Sequence, residues 1–251
     1  MVITFYQQDI IWGNLEANRQ KVEEQMAANA SGADIFVVPE TFTTGFGDHM
    51  AALAEPQEGP TLHWARRMAA QYNLLFVGTW IVKEGGRCYN RLHWVYPDGT
   101  FGHYDKAHTF RPSGEYDTIN RGTERKVFEY KGWCIKPAVC YDLRFPKWLR
   151  NNNMEYDLLL ICANWPGSRH EAWTTLLKAR AIENLCYVLG CNRSGADGVD
   201  GKYTGNSALI DYKGFVIAAA APGADQTVTV ALDKDKLNTF RQHWPLYLDF
   251  D

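Results

Sequence analysis

Residues 134–148 read Cys-Ile-Lys-Pro-Ala-Val-Cys-Tyr-Asp-Leu-Arg-Phe-Pro-Lys-Trp. Ile135, Ala138 and Val139 form an apolar strand pattern that runs into Cys140, and the polar residues Tyr141, Asp142 and Arg144 follow at once. Pro146 then opens a helical pattern, where its missing N–H costs nothing. A cysteine at such a strand-to-helix turn presents its sulfur at the sheet edge, towards the free N–H groups of the next turn. That placement predicts a lowered thiol pKa and donors for an oxyanion. Cys140 reads equally as a buried core residue, the commoner fate of one cysteine.

Outward from this stretch, short apolar runs alternate with helical patterns and hairpins. Strands are expected at 2–10, 34–39, 74–82, 87–96, 101–105, 127–130, 133–139, 157–163, 186–191, 203–210, 215–220 and 227–232. Helices are expected from Asn14, as N-cap, to about Ala30, over 61–72, from Cys140 to about Asn151, over 170–184, and near the C-terminus. Residues 107–125 are polar and irregular, a loop long enough to be functional. Runs buried on both faces, mixed with hairpins, fit a two-layered sheet core with helices outside. With no linker in 251 residues, one domain spanning 1–251 is expected.

Composition narrows the function. Hydrophobic residues make up 46% and charged residues 22%, with a net charge of −3. No basic stripe favours nucleic acid. No apolar run reaches a membrane-spanning length, and the N-terminus lacks signal-peptide character, so a cytoplasmic protein without a membrane partner is expected. The six cysteines form no Cys-x-x-Cys pair, so no metal is expected, and free thiols are. No Gly-x-Gly-x-x-Gly follows a strand, which argues against a nucleotide-binding protein.

Three polar residues each follow directly on an apolar strand run: Glu40 after Phe36-Val-Val-Pro, Lys106 after Phe101-Gly-His-Tyr-Asp, and Cys140. In α/β sheets that end carries sites. A cysteine nucleophile needs a base, oxyanion donors and an acid for the leaving amine. Glu40 suits the base and Lys106 a fixed positive charge, while Glu115 on the long loop can orient Lys106 or the substrate. Each alone is also readable as a solvated residue, and Glu40 with Lys106 as a structural ion pair.

The stretches Val38-Pro39-Glu40-Thr41-Phe42, Tyr104-Asp105-Lys106-Ala107-His108 and Val139-Cys140-Tyr141-Asp142-Leu143-Arg144-Phe145-Pro146 resemble the motifs of the nitrilase superfamily of carbon–nitrogen hydrolases, in the same order. The similarity extends from the first strand to about residue 245. Glu115 matches the second glutamate near that superfamily's active site. Ala163-Asn-Trp-Pro166, Ala179-Arg-Ala-Ile-Glu-Asn184, Gly190-Cys-Asn-Arg193 and Gly205-Asn-Ser207 bring the chain nearest to the bacterial omega-amidases. It departs at His108-Thr109-Phe110, where many relatives carry His-Leu-Phe.

The resemblance implies an α/β fold, a four-layer αββα sandwich, assembled as a homodimer or larger homo-oligomer. It implies that Cys140 attacks an amide, Glu40 relays protons, Lys106 and the N–H of Tyr141 hold the oxyanion, and ammonia leaves a thioester that water hydrolyses, with no cofactor. The implied substrate is a short dicarboxylic monoamide such as 2-oxoglutaramate or 2-oxosuccinamate. Its free carboxylate needs a guanidinium. Arg169 and Arg193 are the candidates, each also readable as a surface ion pair, with Trp165 and Phe42 as pocket walls. Arg144 is expected to be structural and Trp173 a helix-core residue. The alternatives are a deaminated-glutathione amidase, an N-carbamoyl amino acid hydrolase, a nitrilase, or a non-catalytic binding module on this fold.

Overall fold

The computed structural model describes residues 1–199 and 201–249. Strands β1 (Val2–Gln7), β2 (Ile35–Val37), β3 (Glu55–Pro56), β4 (Leu75–Glu84), β5 (Arg87–Val95) and β6 (Phe101–Asp105) belong to one sheet. Strands β7 (Phe128–Tyr130), β8 (Trp133–Val139), β9 (Leu158–Ala163), β10 (Tyr187–Asn192), β13 (Ala208–Ile210) and β14 (Val216–Ala219) form a second, and β11 (Ser194–Ala196) pairs with β12 (Lys202–Thr204). Strand β15 (Gln226–Ala231) returns to the first sheet, whose order is β15-β1-β2-β4-β5-β6 with β3 on β4. The second sheet runs β14-β13-β10-β9-β8-β7.

Period-two alternation explains the layers. Ile35 and Val37 face the second sheet, in a core with Ile135, Val139 and Ile161. Phe36 and Val38 face outward onto Met26 of helix α1 (Leu15–Asn29) and Leu62 and Met68 of α2 (Pro60–Tyr72). Asn14 caps α1, its side chain accepting from Ala17 N. Two further helices are a single turn each, α3 (Glu115–Thr118) and α4 (Pro146–Leu149). On the second sheet, Trp173, Leu177 and Ala181 of α5 (His170–Asn184) are buried, as expected for core, and α6 (Lys234–His243) docks through Arg241 onto Asp157 at 2.8 Å. Helix, sheet, sheet and helix make the four-layer αββα sandwich.

The structure corrects three expectations. The helix expected from Cys140 to Asn151 is a 3₁₀ turn, Cys140–Arg144, followed by α4, because Phe145 leaves helical geometry before Pro146. Residues 107–125 hold α3 rather than irregular chain throughout. The strand expected at 203–210 splits into β12 and β13, since Gly205 and Asn206 both have positive φ. Residues 250–251, beyond the C-terminal helix, lie outside the described residues.

Candidate active site

Each of the three sheet-end residues is aimed by a local device. After β2, Val38 N donates to Val77 O at 2.9 Å and Phe42 N to Thr79 O at 3.1 Å, which keeps the chain on β4 past the end of the strand. Between these bonds Thr41 turns into the left-handed region, at φ 44°, and Glu40 is carried to full burial. Lys106 directly follows β6, its N–H donating to Asn90 O at 3.0 Å. Cys140, with φ 44°, stands in the left-handed region between β8 and the 3₁₀ turn. Such a φ is costly for a side chain other than glycine and needs support. Asp142 supplies it, accepting from Val139 N at 3.0 Å, Tyr104 Oη at 2.8 Å, and His108 N and Nδ1 at 2.9 and 2.7 Å.

These devices bring Glu40, Lys106, Glu115 and Cys140 together. Lys106 Nζ lies 2.8 Å from Glu40 Oε1 and 2.9 Å from Glu115 Oε2, all three side chains being fully buried. Asn90 Nδ2 bridges the two carboxylates, at 2.8 Å from Glu40 Oε1 and 3.3 Å from Glu115 Oε1. Phe110 N donates to Glu115 Oε2 at 2.6 Å. From the second sheet, Asn164 N donates to Glu40 Oε2 at 2.8 Å, and its side-chain amide donates to the Glu40 carbonyl.

Burial alone would drive Lys106 towards neutrality, but the Glu115 and Glu40 carboxylates outweigh it and hold the ammonium above the usual lysine range. Burial raises the Glu115 carboxyl, and Lys106 offsets this only in part. Burial, then the charge of Glu40, push the Cys140 thiol well above its ordinary value against the pull of Lys106. This reverses the lowered pKa expected from the turn alone. Cys140 is buried, and desolvation of a thiolate there exceeds what the turn's dipoles return. Burial thus favours the neutral thiol, with Glu40 beside it.

Cys140 and Lys106 open onto a cavity of about 490 Å³. Tyr141, Trp165 and Arg169 line it. Two expected pocket residues do not. Phe42 is fully buried against Trp64, Phe76 and Trp80, because the left-handed turn at Thr41 sends it to the helix-facing side of the sheet while Glu40 faces the second sheet. Arg193 is also fully buried, donating through Nε to Ser194 O and through Nη2 to the Ile10 and Ala196 carbonyls, so it ties loops together. Arg144, expected to be structural, instead lines the cavity, over the Trp165 ring at 4.9 Å. Arg169 stands 5.2 Å over the Phe110 ring. Neither Arg144 nor Arg169 has a carboxylate partner among the described residues.

Asn90 and Asn164 escaped the sequence reading as site residues. Asn164 carries the same signal as Glu40, a polar residue directly after a buried strand. Asn90 lies inside β5 and carries none.

Comparison with known proteins supplies the family. The carbon–nitrogen hydrolase family model matches residues 3–242. The chain is 41% identical to a protein of Yersinia enterocolitica named Omega-amidase YafV, over 99% of this chain and 96% of that one. It is 31% identical to a Bacillus subtilis protein named 2-oxoglutaramate amidase, over 98% and 96%. The crystal structure of XC1258 from Xanthomonas campestris, described as a CN-hydrolase superfamily protein with an arsenic adduct in its active site, superposes with a TM-score of 0.98 at 39% identity, covering 100% of this chain and 97% of that one. A sandwich that gathers a thiol, a lysine and two glutamates at its sheet ends, and full-length likeness to these proteins, lead to one conclusion: the chain belongs to the carbon–nitrogen hydrolase family.

Proposed function

We propose that this hydrolase is an omega-amidase, cleaving the terminal amide of short dicarboxylic acid monoamides of the 2-oxoglutaramate and 2-oxosuccinamate type. The observation that carries the reading is one cavity that holds Cys140 beside Lys106 and, on its wall, two guanidinium groups with no carboxylate partner among the described residues. A planar guanidinium binds a carboxylate through two parallel charge-assisted bonds. A substrate with an amide at one end and a carboxylate at the other spans such a site.

In this mechanism the amide carbonyl sits against the Cys140 sulfur. The sulfur–carbon bond forms as the thiol proton passes to Glu40, which answers the raised thiol pKa because no free thiolate is required. Lys106 and the N–H of Tyr141, in the first turn of the 3₁₀ segment, take the developing oxyanion. Glu40 returns the proton to nitrogen, the carbon–nitrogen bond breaks and ammonia leaves a thioester. Water then gives a proton to Glu40 and its oxygen to the carbonyl, the carbon–sulfur bond breaks to free the acid, and Glu40 returns the proton to the Cys140 sulfur. Glu115 keeps Lys106 charged and in place throughout. Trp165 forms the wall beside Arg144.

Two relatives whose names specify omega-amidase or 2-oxoglutaramate amidase align over nearly the whole chain, which favours this substrate class over longer amides, carbamoyl amino acids or nitriles. The test is ammonia release from 2-oxoglutaramate and 2-oxosuccinamate, with glutamine, a carbamoyl amino acid and an aliphatic nitrile alongside and Cys140→Ala as control. Release from the oxo-amides alone is expected. Turnover of another member only would replace the substrate, and silence on all with an inert Cys140 would favour a binding module.

A further inference from the structure

Trp12 lies between β1 and α1, outside every motif read in the sequence, yet its ring lines the cavity that holds Cys140. Three loops meet on this indole. On one side it packs on His49, with ring centroids 4.1 Å apart. A Cβ added to Gly47 would stand 2.6 Å from Trp12 Cη2, and one added to Gly198 would stand 2.5 Å from Trp12 Nε1. Neither distance is sterically possible. Gly47 and Gly198 both lack the positive φ that would demand glycine for conformation, so the close approach of the indole is what requires them. Gly13 N donates to Thr44 O at 2.9 Å, and His49 Nε2 lies 2.8 Å from the same oxygen, pinning the Trp12 segment to the 44–49 loop. Phe46, His49 and Val199 from these loops line the cavity with Trp12, while Arg144 and Arg169 follow β8 and β9 of the second sheet.

We propose that Trp12 is a specificity-determining residue: its indole, wedged into the backbone slot of Gly47 and Gly198, closes the cavity on this side and sets the length of the acid chain that the site accepts. The proposal rests on the amidase reading above and deepens it. A rigid ring held on two faces yields little, so each methylene beyond the space it leaves must be excluded. Hydrophobic pockets discriminate one methylene by roughly 10- to 200-fold. With the amide at Cys140 and the carboxylate on Arg144 or Arg169, a longer acid must bow between its two anchors, and the ring leaves no room for the bow.

The test is kcat/KM of the whole protein for linear monoamides of four-, five-, six- and seven-carbon dicarboxylic acids. The wild type is expected to fall steeply beyond five carbons. Trp12→Ala is expected to raise the seven- to five-carbon ratio by at least about tenfold. Trp12→Phe, which keeps the contact with His49, shifts it in the same direction by less and serves if the alanine variant fails to fold. Gly198→Ala is expected to alter the ratio by displacing the ring, and to have no effect once Trp12 is truncated; that non-additivity is the signature of direct contact. An unchanged length profile in a folded Trp12 variant that still turns over the five-carbon amide overturns the proposal alone. Silence of the wild type on the whole series overturns the amidase reading and this proposal with it.

Discussion

Asn164 and Glu40, 124 residues apart, meet across the two sheets: the Asn164 N–H donates to Glu40 Oε2 at 2.8 Å. Glu40 follows β2 of the first sheet and Asn164 follows β9 of the second. The carboxylate therefore has one oxygen held from the opposite sheet and the other by Lys106 and Asn90 at 2.8 Å each. A base fixed at both oxygens keeps its direction towards the thiol through both halves of a two-step reaction.

Replacing this base should separate rate from thiol acidity. Glu40→Gln is expected to lower kcat by roughly 10²- to 10⁴-fold, with both thioester formation and thioester hydrolysis slowed. The same change removes the negative charge that helps hold the Cys140 thiol up, so alkylation of Cys140 should begin at lower pH than in the wild type. In the wild type, alkylation should climb only in alkaline solution. Stopped-flow acylation and a pH series with a neutral alkylating reagent measure the two effects. A variant with wild-type turnover would remove Glu40 as the base.

Lys106→Met leaves Glu40 and Glu115 facing each other without their cation. Removing one partner of a buried ion pair costs about 3–5 kcal/mol, so a marked fall in Tm at pH 7 is expected together with loss of activity. The sign with pH is definite. Burial already raises the Glu115 carboxyl, loss of Lys106 removes what offsets that, and a raised folded pKa gives stability that returns as pH falls through it. The Tm deficit relative to wild type should therefore shrink on acidification. In the wild type the raised Lys106 pKa works at the other end, with stability present below the ordinary lysine value and lost as pH rises beyond it. Thermal melts from pH 4 to 11 decide both.

The three arginines should part into two kinds. Arg144→Ala and Arg169→Ala are each expected to raise KM for oxo-amides by roughly tenfold or more, the size of a lost charge-assisted hydrogen bond, with little effect on a small neutral amide. Arg193→Ala should instead lower Tm, because carbonyls of Ile10, Ser194 and Ala196 lose their buried donors at about 1–3 kcal/mol each. Equal KM effects on charged and neutral amides would exclude Arg144 and Arg169 as carboxylate ligands.

Asp142 is the support of the turn rather than a participant in the chemistry. Asp142→Ala deprives Tyr104 Oη, Val139 N and both donors of His108 of their acceptor. A loss on the order of 3 kcal/mol is expected, and with it relaxation of the Cys140 backbone. Chemical denaturation measures the first, and a fall in kcat at unchanged KM the second. Wild-type kcat in a destabilised variant would show that the turn holds without it.

The reach of the sequence was uneven for physical reasons. Glu40, Lys106 and Cys140 were legible because each directly follows a strand, and the end of a strand is a position that pattern alone can locate. The two-faced burial of 34–39 was legible because both neighbours of a central strand are apolar. Phe42 and Arg193 misled because a residue near a motif shares its strand end but not its direction. The left-handed turn at Thr41 parts Phe42 from Glu40, and Arg193 turned inward to satisfy carbonyls from two segments.

Local sequence determined the strands, the order of the site residues along the chain and the family, since these depend on side-chain period and on short contiguous motifs. Tertiary structure alone decided the burial that raises the Cys140 thiol pKa, the pairing of Lys106 with two glutamates, which arginines face the cavity, and the seat of Trp12 between Gly47 and Gly198. Each of these depends on distances between segments remote in sequence and on the water excluded where the two sheets close.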